Sequence, residues 1–399
     1  MQEPMELRHR TIFAGNLSYA REPESDKPKL VFFCPDVTDA STLKRVQQFV
    51  DGGYDVVVFG FRRRRYNADY QPTWPCVPLG MTSDGFYGQR LAALLRALPK
   101  IVAHHRELRD ASVFYARNID QLLLTLLARL IAWSRAPITY EVLDIPPILV
   151  GGALPSRFLR AVERLCLHHT RLLVLSSPGF HRAYYGAIQH YAGRWFLMEN
   201  KLQPPIAPAA VSVRPPGGER RPWVVGYFGL IRGEETFALM TRLAARLQGR
   251  VVFRFRGVLT TVGQDRFDDA LARHSNMEYG GPYTPQEELA DMYGGVDFAW
   301  ALDLEHADHN SRWLMPCRFY EAGYFGVPCL AVRGFEVGTA LERHSIGWTF
   351  EAPLEESLVR FFESLTHSEY AAVQRRLRAL PPSTFVASDD ARQLCSLLA

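Results

Sequence analysis

The densest chemistry in the sequence lies between Asn310 and Val332, NSRWLMPCRFYEAGYFGVPCLAV. Arg318, Tyr320 and Glu321 fall together ahead of Gly326 and Pro328, which should end a helix, and VPCLAV reads as the next strand. A carboxylate at a helix start is favoured by the helix dipole and can accept two hydrogen bonds from a ribose diol. An arginine three positions earlier shares its face and can neutralise a diphosphate. The plain alternative is a solvent-exposed Arg–Glu pair, worth little. A second cation lies within the run VVGYFGLIRGEE. There Gly226 and Gly229 are expected to flank the end of a strand. Gly229 would let a ligand approach the backbone, with Arg232 three residues on. A glycine turn beside a solvated arginine would look the same on spacing alone.

Familiar nucleotide motifs are missing. The first strand runs into PDVTDAS, with no G-x-G-x-x-G, so a dinucleotide-binding reading loses its main support. There is no G-x-x-x-x-G-K-[ST], no H-E-x-x-H and no G-x-S-x-G. DLE at 303–305 and HADH at 306–309 only loosely suggest a metal motif, and no metal site is expected. Any phosphate charge would then be met by Arg318, Arg232 and helix amides.

These residues need elements to hold them. LVFFC at 30–34, DVVVFG at 55–60, SVFYA, PITYEV and LLVLS are continuous apolar runs separated by helical patterns. Such runs suit parallel strands buried on both faces, hence βαβ units and a doubly wound α/β domain. Leu202–Pro222, LQPPIAPAAVSVRPPGGERRP, breaks the rhythm and reads as a linker. Beyond it WVVGYFG, VVFRFRG, MEYGG, VDFAWAL, VPCLAV and GWTF give six more strands. The expected organisation is an N-terminal extension at 1–28, a first domain at 29–201, the linker at 202–222, a second domain at 223–375 and a terminal helix at 376–399 that packs back on the first domain. Two such halves set the carboxyl ends of two sheets across a cleft, where ligands of open α/β sheets bind.

The run RFYEAGYFGVPCLAV resembles the donor-nucleotide motif of GT-B glycosyltransferases related to family 4: a basic residue, then Glu, then small–x–Gly–x–Pro. NMEYGGPYTPQEELADMYGGVDFAWA is similar to their preceding segment and places Tyr283 beside the nucleotide. VVGYFGLIR resembles their second-domain entry loop. In the first half, KLVFFCPDVTDASTLKRVQQFVDGGYDVVVFGFRR, ITYEVLDI and VLSSPGFHRAYYG look like bacterial exopolysaccharide glycosyltransferases, the succinoglycan type and, in layout, the xanthan type. The likeness spans about residues 29 to 370. It implies the GT-B fold, two Rossmann-like domains facing a cleft. It also implies transfer of a hexose from a nucleotide sugar, UDP-linked, to a lipid-linked oligosaccharide. The donor would lie on Gly229, Arg232, Tyr283, Arg318, Tyr320 and Glu321. The acceptor would lie in the first half, with Asp36, Asp39 and Asn118.

One departure bears on mechanism. Retaining relatives carry a second Glu eight positions before the helix Glu, where this chain has Trp313. An inverting reaction is therefore expected, and it needs a general base for the acceptor hydroxyl. Asp144, directly past PITYEV, is the expected base, as in the xanthan-type layout, with Pro146 and Pro147 keeping the stretch extended. Glu141, Asp36 and Asp39 are alternatives, and Asp144 could instead cap a turn.

Composition bounds the rest. The chain has 399 residues, 47% hydrophobic and 22% charged, with a net charge of +4. That excludes a disordered or dedicated nucleic-acid-binding chain. Of 46 cations only five are Lys, so arginine would clamp any phosphate. Six cysteines without metal spacing read as buried small hydrophobes of a reducing compartment. Neither a secretory signal nor a spanning segment is expected. The expected location is cytoplasmic, peripheral to the inner membrane. The Arg62–Arg65 run would meet anionic headgroups, and the apolar stretch at 119–135 reads as a core helix rather than a lipid-inserting one. No cofactor is expected besides the donor. Two other functions fit the same fold: a nucleotide-sugar epimerase, which needs no acceptor, and a non-catalytic sugar-binding component of an assembly complex.

Overall fold

The computed structural model describes residues 27–63, 70–82, 87–204, 206, 222–284 and 287–398. The first sheet contains β1 (Lys29–Cys34), β2 (Asp55–Arg63), β3 (Cys76–Thr82), β4 (Val113–Arg117), β5 (Ile138–Val142), β6 (Leu172–Leu175) and β7 (Trp195–Leu197), in the order β3-β2-β1-β4-β5-β6-β7. The second contains β8 (Trp223–Ile231), β9 (Val251–Leu259), β10 (Met277–Tyr279), β11 (Phe298–Trp300), β12 (Cys329–Val332) and β13 (Gly347–Phe350), in the order β10-β9-β8-β11-β12-β13. Neighbouring strands are parallel in both. Strand order reverses at β1/β4 and β8/β11, the switch points where such sheets open a crevice.

The continuous apolar runs follow from two-sided burial. Along β1, Val31 and Phe33 join one core cluster, while Leu30, Phe32 and Cys34 join another on the opposite face. A strand exposed on one side would alternate. β3 and β7 are additions to the strands expected above. CVPLGMT carries Pro78 and Gly80, which weaken its pattern and suit an edge strand. β7 has only three residues, WFL. Arg62 and Arg63 end β2, while Arg64 and Arg65 lie outside the described residues.

Helix Ile119–Ile131 only half matches the expected core helix. Leu122, Leu124, Thr125 and Ala128 are buried, yet Leu127 and Leu130 are exposed, as is Trp133 just beyond. Cys34, Cys166, Cys329 and Cys395 are buried free thiols, whereas Cys76 is half-buried and Cys317 exposed. Among the described residues no helix is long and apolar enough to cross a membrane.

Several contacts join the halves. Ser177 Oγ donates to Trp313 O, Arg182 pairs with Glu336, and Tyr320 Oη donates to Glu199 Oε1 at 2.8 Å. The helix His367–Arg378 stays with the second sheet, its Gln374 donating to Gly326 O. The helix Asp390–Leu398 crosses over: Leu394, Cys395 and Leu398 join the cluster of Phe49 and Tyr54, and Tyr54 Oη donates to Cys395 O at 3.0 Å.

Candidate active site

Gly229 and Gly257 stand opposite each other near the ends of β8 and β9. A Cβ on Gly257 would come within 1.8 Å of Gly229 O, so the close approach demands glycine there. Gly229 itself has φ +103, and a Cβ on it would meet only Tyr283 Oη, at 3.9 Å. It lies within the strand rather than flanking its end. A glycine here keeps the strand backbone uncovered, with the tyrosine hydroxyl one van der Waals contact away. Tyr283 follows β10, and burial, then the neighbouring Glu321 charge, push its phenol up.

The helix Cys317–Tyr324 supplies the next groups. Glu321 sits in its second turn, so the dipole argument for its placement does not apply. Nor do Arg318 and Glu321 form a surface pair. Glu321 Oε2 accepts from Tyr293 Oη at 2.8 Å, and Arg318 Nη1 donates to Trp300 O at 2.9 Å. Burial pushes the Glu321 carboxyl up, against the smaller opposing effects of the Tyr293 hydrogen bond and the Arg318 charge. Such a carboxylate gains from hydroxyl donors that a ribose would bring. Tyr320, on the same helix, does not join this group. Its ring is buried and its hydroxyl goes to Glu199 in the chain after β7. Residues one apart on a helix point about 100° apart, so the expectation that both contact nucleotide is not met in this geometry.

Tyr227, which the sequence reading passed over, organises both cations. The Arg318 guanidinium lies 4.4 Å from its ring centroid. Its hydroxyl donates to Arg232 O and accepts from Arg232 N, both at 3.2 Å. Arg232 in turn bonds Asp303 Oδ2 through Nε at 3.0 Å and Nη2 at 2.5 Å, with Glu305 at 3.5 Å. Burial opposes the Arg232 cation, but Asp303 and then Asp144 outweigh it and push its pKa up. Burial likewise opposes the Asp303 anion, and Arg232 and Arg318 pull its carboxyl below the usual range. Arg232 is thus already neutralised by carboxylates, unlike the solvated or phosphate-facing cation expected.

Asp144 belongs to the first domain, two residues past β5, and is exposed. It does not cap its own turn. Its Oδ1 accepts from Asn310 Nδ2 of the second domain at 3.0 Å, while Asn310 Oδ1 accepts from Ile145 N at 2.9 Å. One asparagine therefore holds both the carboxylate and its backbone across the domain boundary. The chain is extended at Pro146, but Pro147 opens a one-turn helix, Pro147–Val150, since proline fits a first helical position. Trp313 ends the four-residue helix that Asn310 begins.

Other first-half candidates have structural tasks. Glu141 is buried between Arg45 and Arg117, with ion pairs of 2.6 and 2.8 Å. Burial would raise its carboxyl, yet Arg117 and Arg45 outweigh that and hold it at about 2. It is too weak a base to take a hydroxyl proton at neutral pH. Asp36, 3% exposed, accepts from Thr38 N and Oγ1. Asp39 caps the helix Ala40–Asp51 through Ser41 N and Oγ. Neither joins the Asp144 group. Asn118 follows β4 at φ +70, and its Oδ1 is buried without a partner. Of the three it has the buried side-chain oxygen left without a partner. A further candidate is Lys44, whose Nζ donates to Lys201 O. Burial, then Arg45, lowers it to about 8. Among the described residues no three His, Cys, Asp or Glu gather as a metal site.

The chain is 31% identical over 363 residues to the succinoglycan biosynthesis protein ExoL of Rhizobium meliloti (strain 1021), covering 90% of both proteins. Sucrose-phosphate synthase from Thermosynechococcus elongatus superposes with a TM-score of 0.68 at 12% identity, over 93% of this chain and 98% of that one. Anabaena HepE, solved with UDP and glucose, gives 0.66 at 15% identity, over 92% and 99%. WaaG, a glycosyltransferase of lipopolysaccharide biosynthesis, gives 0.63 at 12%, over 92% and 99%. No protein-family model matches. At these identities the solved structures establish architecture, two parallel-sheet domains of the GT-B type, while the sequence relative establishes kinship. The chain belongs to the family of the succinoglycan biosynthesis protein ExoL and has the GT-B glycosyltransferase fold.

Proposed function

We propose that this protein transfers a sugar from a UDP-sugar to a lipid-linked saccharide during exopolysaccharide assembly, with inversion at the anomeric carbon. The observation that carries the reading is the meeting of two groups at one boundary. Gly229, Tyr283, Arg318 and Glu321 gather at the carboxyl edge of the second sheet. Asp144 stands at the carboxyl edge of the first, tied to the second domain by Asn310. HepE, of the same architecture, was solved with UDP-glucose.

Glu321 takes the ribose hydroxyls, and Gly229 allows the diphosphate close to the strand. Arg318 meets diphosphate charge, while Arg232, neutralised by Asp303 and Glu305, holds the Tyr227 hydroxyl through its backbone and so steadies the ring beneath Arg318. Asp144 accepts the acceptor hydroxyl proton as its oxygen attacks the anomeric carbon. The bond from that carbon to the diphosphate oxygen breaks, and UDP leaves with the electron pair. Asn118 is assigned to acceptor hydroxyls. The acceptor places the reaction at an anionic membrane surface, on the cytoplasmic side where nucleotide sugars are supplied.

The deciding experiment follows UDP release from UDP-sugars with and without a lipid-linked acceptor. Release that requires acceptor and yields an extended saccharide supports transfer. Conversion of the donor without acceptor would make the protein an epimerase, and donor binding without either reaction would make it a sugar-binding component.

A further inference from the structure

Thirteen large hydrophobic side chains are exposed among the described residues, and twelve of them belong to the first domain; Leu230 is the exception. Nine of the twelve fall on one layer. Helices Tyr87–Ala103, Ile119–Ile131 and Leu154–Leu167 pack side by side over one face of the first sheet. The first carries Leu91, Leu95 and Val102 outward, and the third carries Leu154, Phe158 and Leu165. Both sets have the same spacing, four then seven residues, which keeps each on one side of its helix. Between them the middle helix adds Leu127 and Leu130, followed by Trp133. Exposure is high: Leu130 68%, Trp133 84%, Leu154 77% and Phe158 68%. A groove of about 780 Å³ runs between the second and third helices, lined by Leu123, Leu126, Leu130, Trp133, Val162 and Leu165 among others.

Contiguous apolar surface of this extent on one domain marks a docking face. Its charge says what docks. The three helices and the turn after the second carry eight cations: Arg90, Arg96 and Lys100; Arg129 and Arg135; Arg157, Arg160 and Arg164. Lys100, Arg160 and Arg164 already donate to backbone carbonyls of the first domain, while Arg96, Arg135 and Arg157 are exposed. Their carboxylates are Asp120, half-buried at one helix start, and Glu163, which is buried and receives Tyr140, Tyr184 and Tyr185 hydroxyls. A second copy of the chain on a two-fold axis would set cations against cations. An apolar protein partner would bring no counter-charge to the exposed Arg96, Arg135 and Arg157. A bilayer with anionic headgroups satisfies both features: leucines, Phe158 and Trp133 enter the boundary of the acyl region while the arginine stems extend to headgroups. The 17-residue first helix is about 25 Å long, so the face offers a broad contact parallel to a membrane.

We infer that the outer layer of helices Tyr87–Ala103, Ile119–Ile131 and Leu154–Leu167 is a monotopic membrane-docking face for anionic lipid. This deepens the proposed reading, because helices in this layer begin at the edge of the sheet where Asp144 stands. The third helix starts ten residues after Asp144, and Arg160 fastens it to Leu149 O and Gly151 O at 2.9 and 2.7 Å. Docking here brings that edge, with its base, to the bilayer from which a lipid-linked acceptor would be presented.

The test uses the purified full chain and vesicles of phosphatidylcholine, with or without phosphatidylglycerol, at low and high salt. Neither donor nor acceptor is present, so the result is independent of glycosyl transfer. The protein should float with phosphatidylglycerol vesicles, several-fold less at high salt or without that lipid. The triple variant Leu130→Gln, Trp133→Gln, Leu165→Gln should lower the bound fraction by about tenfold or more. Its circular dichroism should be unchanged, since all three side chains point outward. Sedimentation velocity without lipid accompanies each measurement. Unchanged flotation of a folded triple variant overturns the proposal. So does failure of the wild type to float while forming a dimer that the three changes dissolve, which would assign the face to a second copy. Loss of flotation on replacing Arg62–Arg65 with Gln, but not in the triple variant, would move the contact to that run and equally refute it.

Discussion

Replacing Glu141 with Gln separates a base from a structural anchor. The carboxylate is buried and paired with both Arg45 and Arg117. Arg117 also donates to Ser41 Oγ at 2.9 Å and Thr42 Oγ1 at 3.2 Å. The ends of β4 and β5 and the start of helix Ala40–Asp51 are thereby fastened to one charge, three residues before Asp144. Its carboxyl is lowered from 4.5 to about 2. A depressed folded pKa contributes stability that is complete above the unfolded value and lost as pH falls through the folded one. That depression corresponds to about 3 kcal/mol of stability at neutral pH. Breaking a buried pair costs a similar amount, about 3–5 kcal/mol, because the arginines are left uncompensated.

The expected loss for Glu141→Gln is therefore about 3 kcal/mol at about pH 7, narrowing to about 2 kcal/mol near pH 3.5 as the wild-type carboxyl approaches its folded pKa. Urea unfolding of the first-domain transition at several pH values measures it. Turnover per folded molecule should fall far less than in a variant of Asp144. A loss below about 0.5 kcal/mol, the level of an ordinary surface change, would refute the reasoning. So would a gap that does not narrow with acid. A stable variant without turnover would return Glu141 to the role of base.

Asp144→Asn should lower turnover by about 10²–10⁴ while calorimetry shows UDP binding retained; full activity would reassign the base. Glu321→Ala should weaken UDP binding by roughly 1–3 kcal/mol, as expected for lost charged hydrogen bonds, and unchanged affinity in a folded variant would displace the nucleotide from this helix. Proton NMR of the product from an α-linked donor should show a β-linkage, and an α-linkage would mean that Trp313 was over-read. Asn310→Ala removes the hydrogen bonds to Asp144 Oδ1 and Ile145 N. It should reduce turnover with little change in UDP affinity, since the nucleotide groups lie on other elements; equal loss of both would show that Asn310 acts through the donor site.

Legibility in the sequence tracked how local the determining physics was. All six second-half strands stand where the runs put them: β8, β11 and β12 because burial on both faces stamps a continuous apolar pattern on each, and β9 because one buried face leaves an alternating one. β3 escaped because an edge strand needs no such pattern and tolerates Pro78. The grouping of Arg318, Glu321, Tyr283 and Gly229 was implied by the family resemblance of their three segments, while spacing alone related only Arg318 to Glu321. The fate of Arg232 could not, since Asp303 and Glu305 lie more than 70 residues away in sequence and reach it only through the β8/β11 adjacency. Short carboxylate segments were ambiguous for the opposite reason. Asp36, Asp39 and Asp144 each follow a strand, the position from which a carboxylate can cap a turn, cap a helix or face a cleft. Local hydroxyls decided the first two, with Thr38 and Ser41 available within two residues.

Asp144 has no such neighbour: Ile145, Pro146 and Pro147 follow it, and none carries a side-chain donor. A carboxylate denied a local partner is left for a distant one, and here the distant one is Asn310 of the other domain. Asn310 sits in HADHN, where neighbouring histidines and aspartates draw attention to metals and the amide looks incidental. Its importance comes from bidentate use, with the amide nitrogen on the Asp144 side chain and the amide oxygen on the Ile145 backbone. That pairing fixes the carboxylate relative to the second domain through a neutral amide rather than an ion pair, so the base is oriented without a directly bound cation. The same economy explains why Glu141 cannot substitute. Two guanidinium groups make it an effective anchor and, by the same electrostatics, an ineffective base.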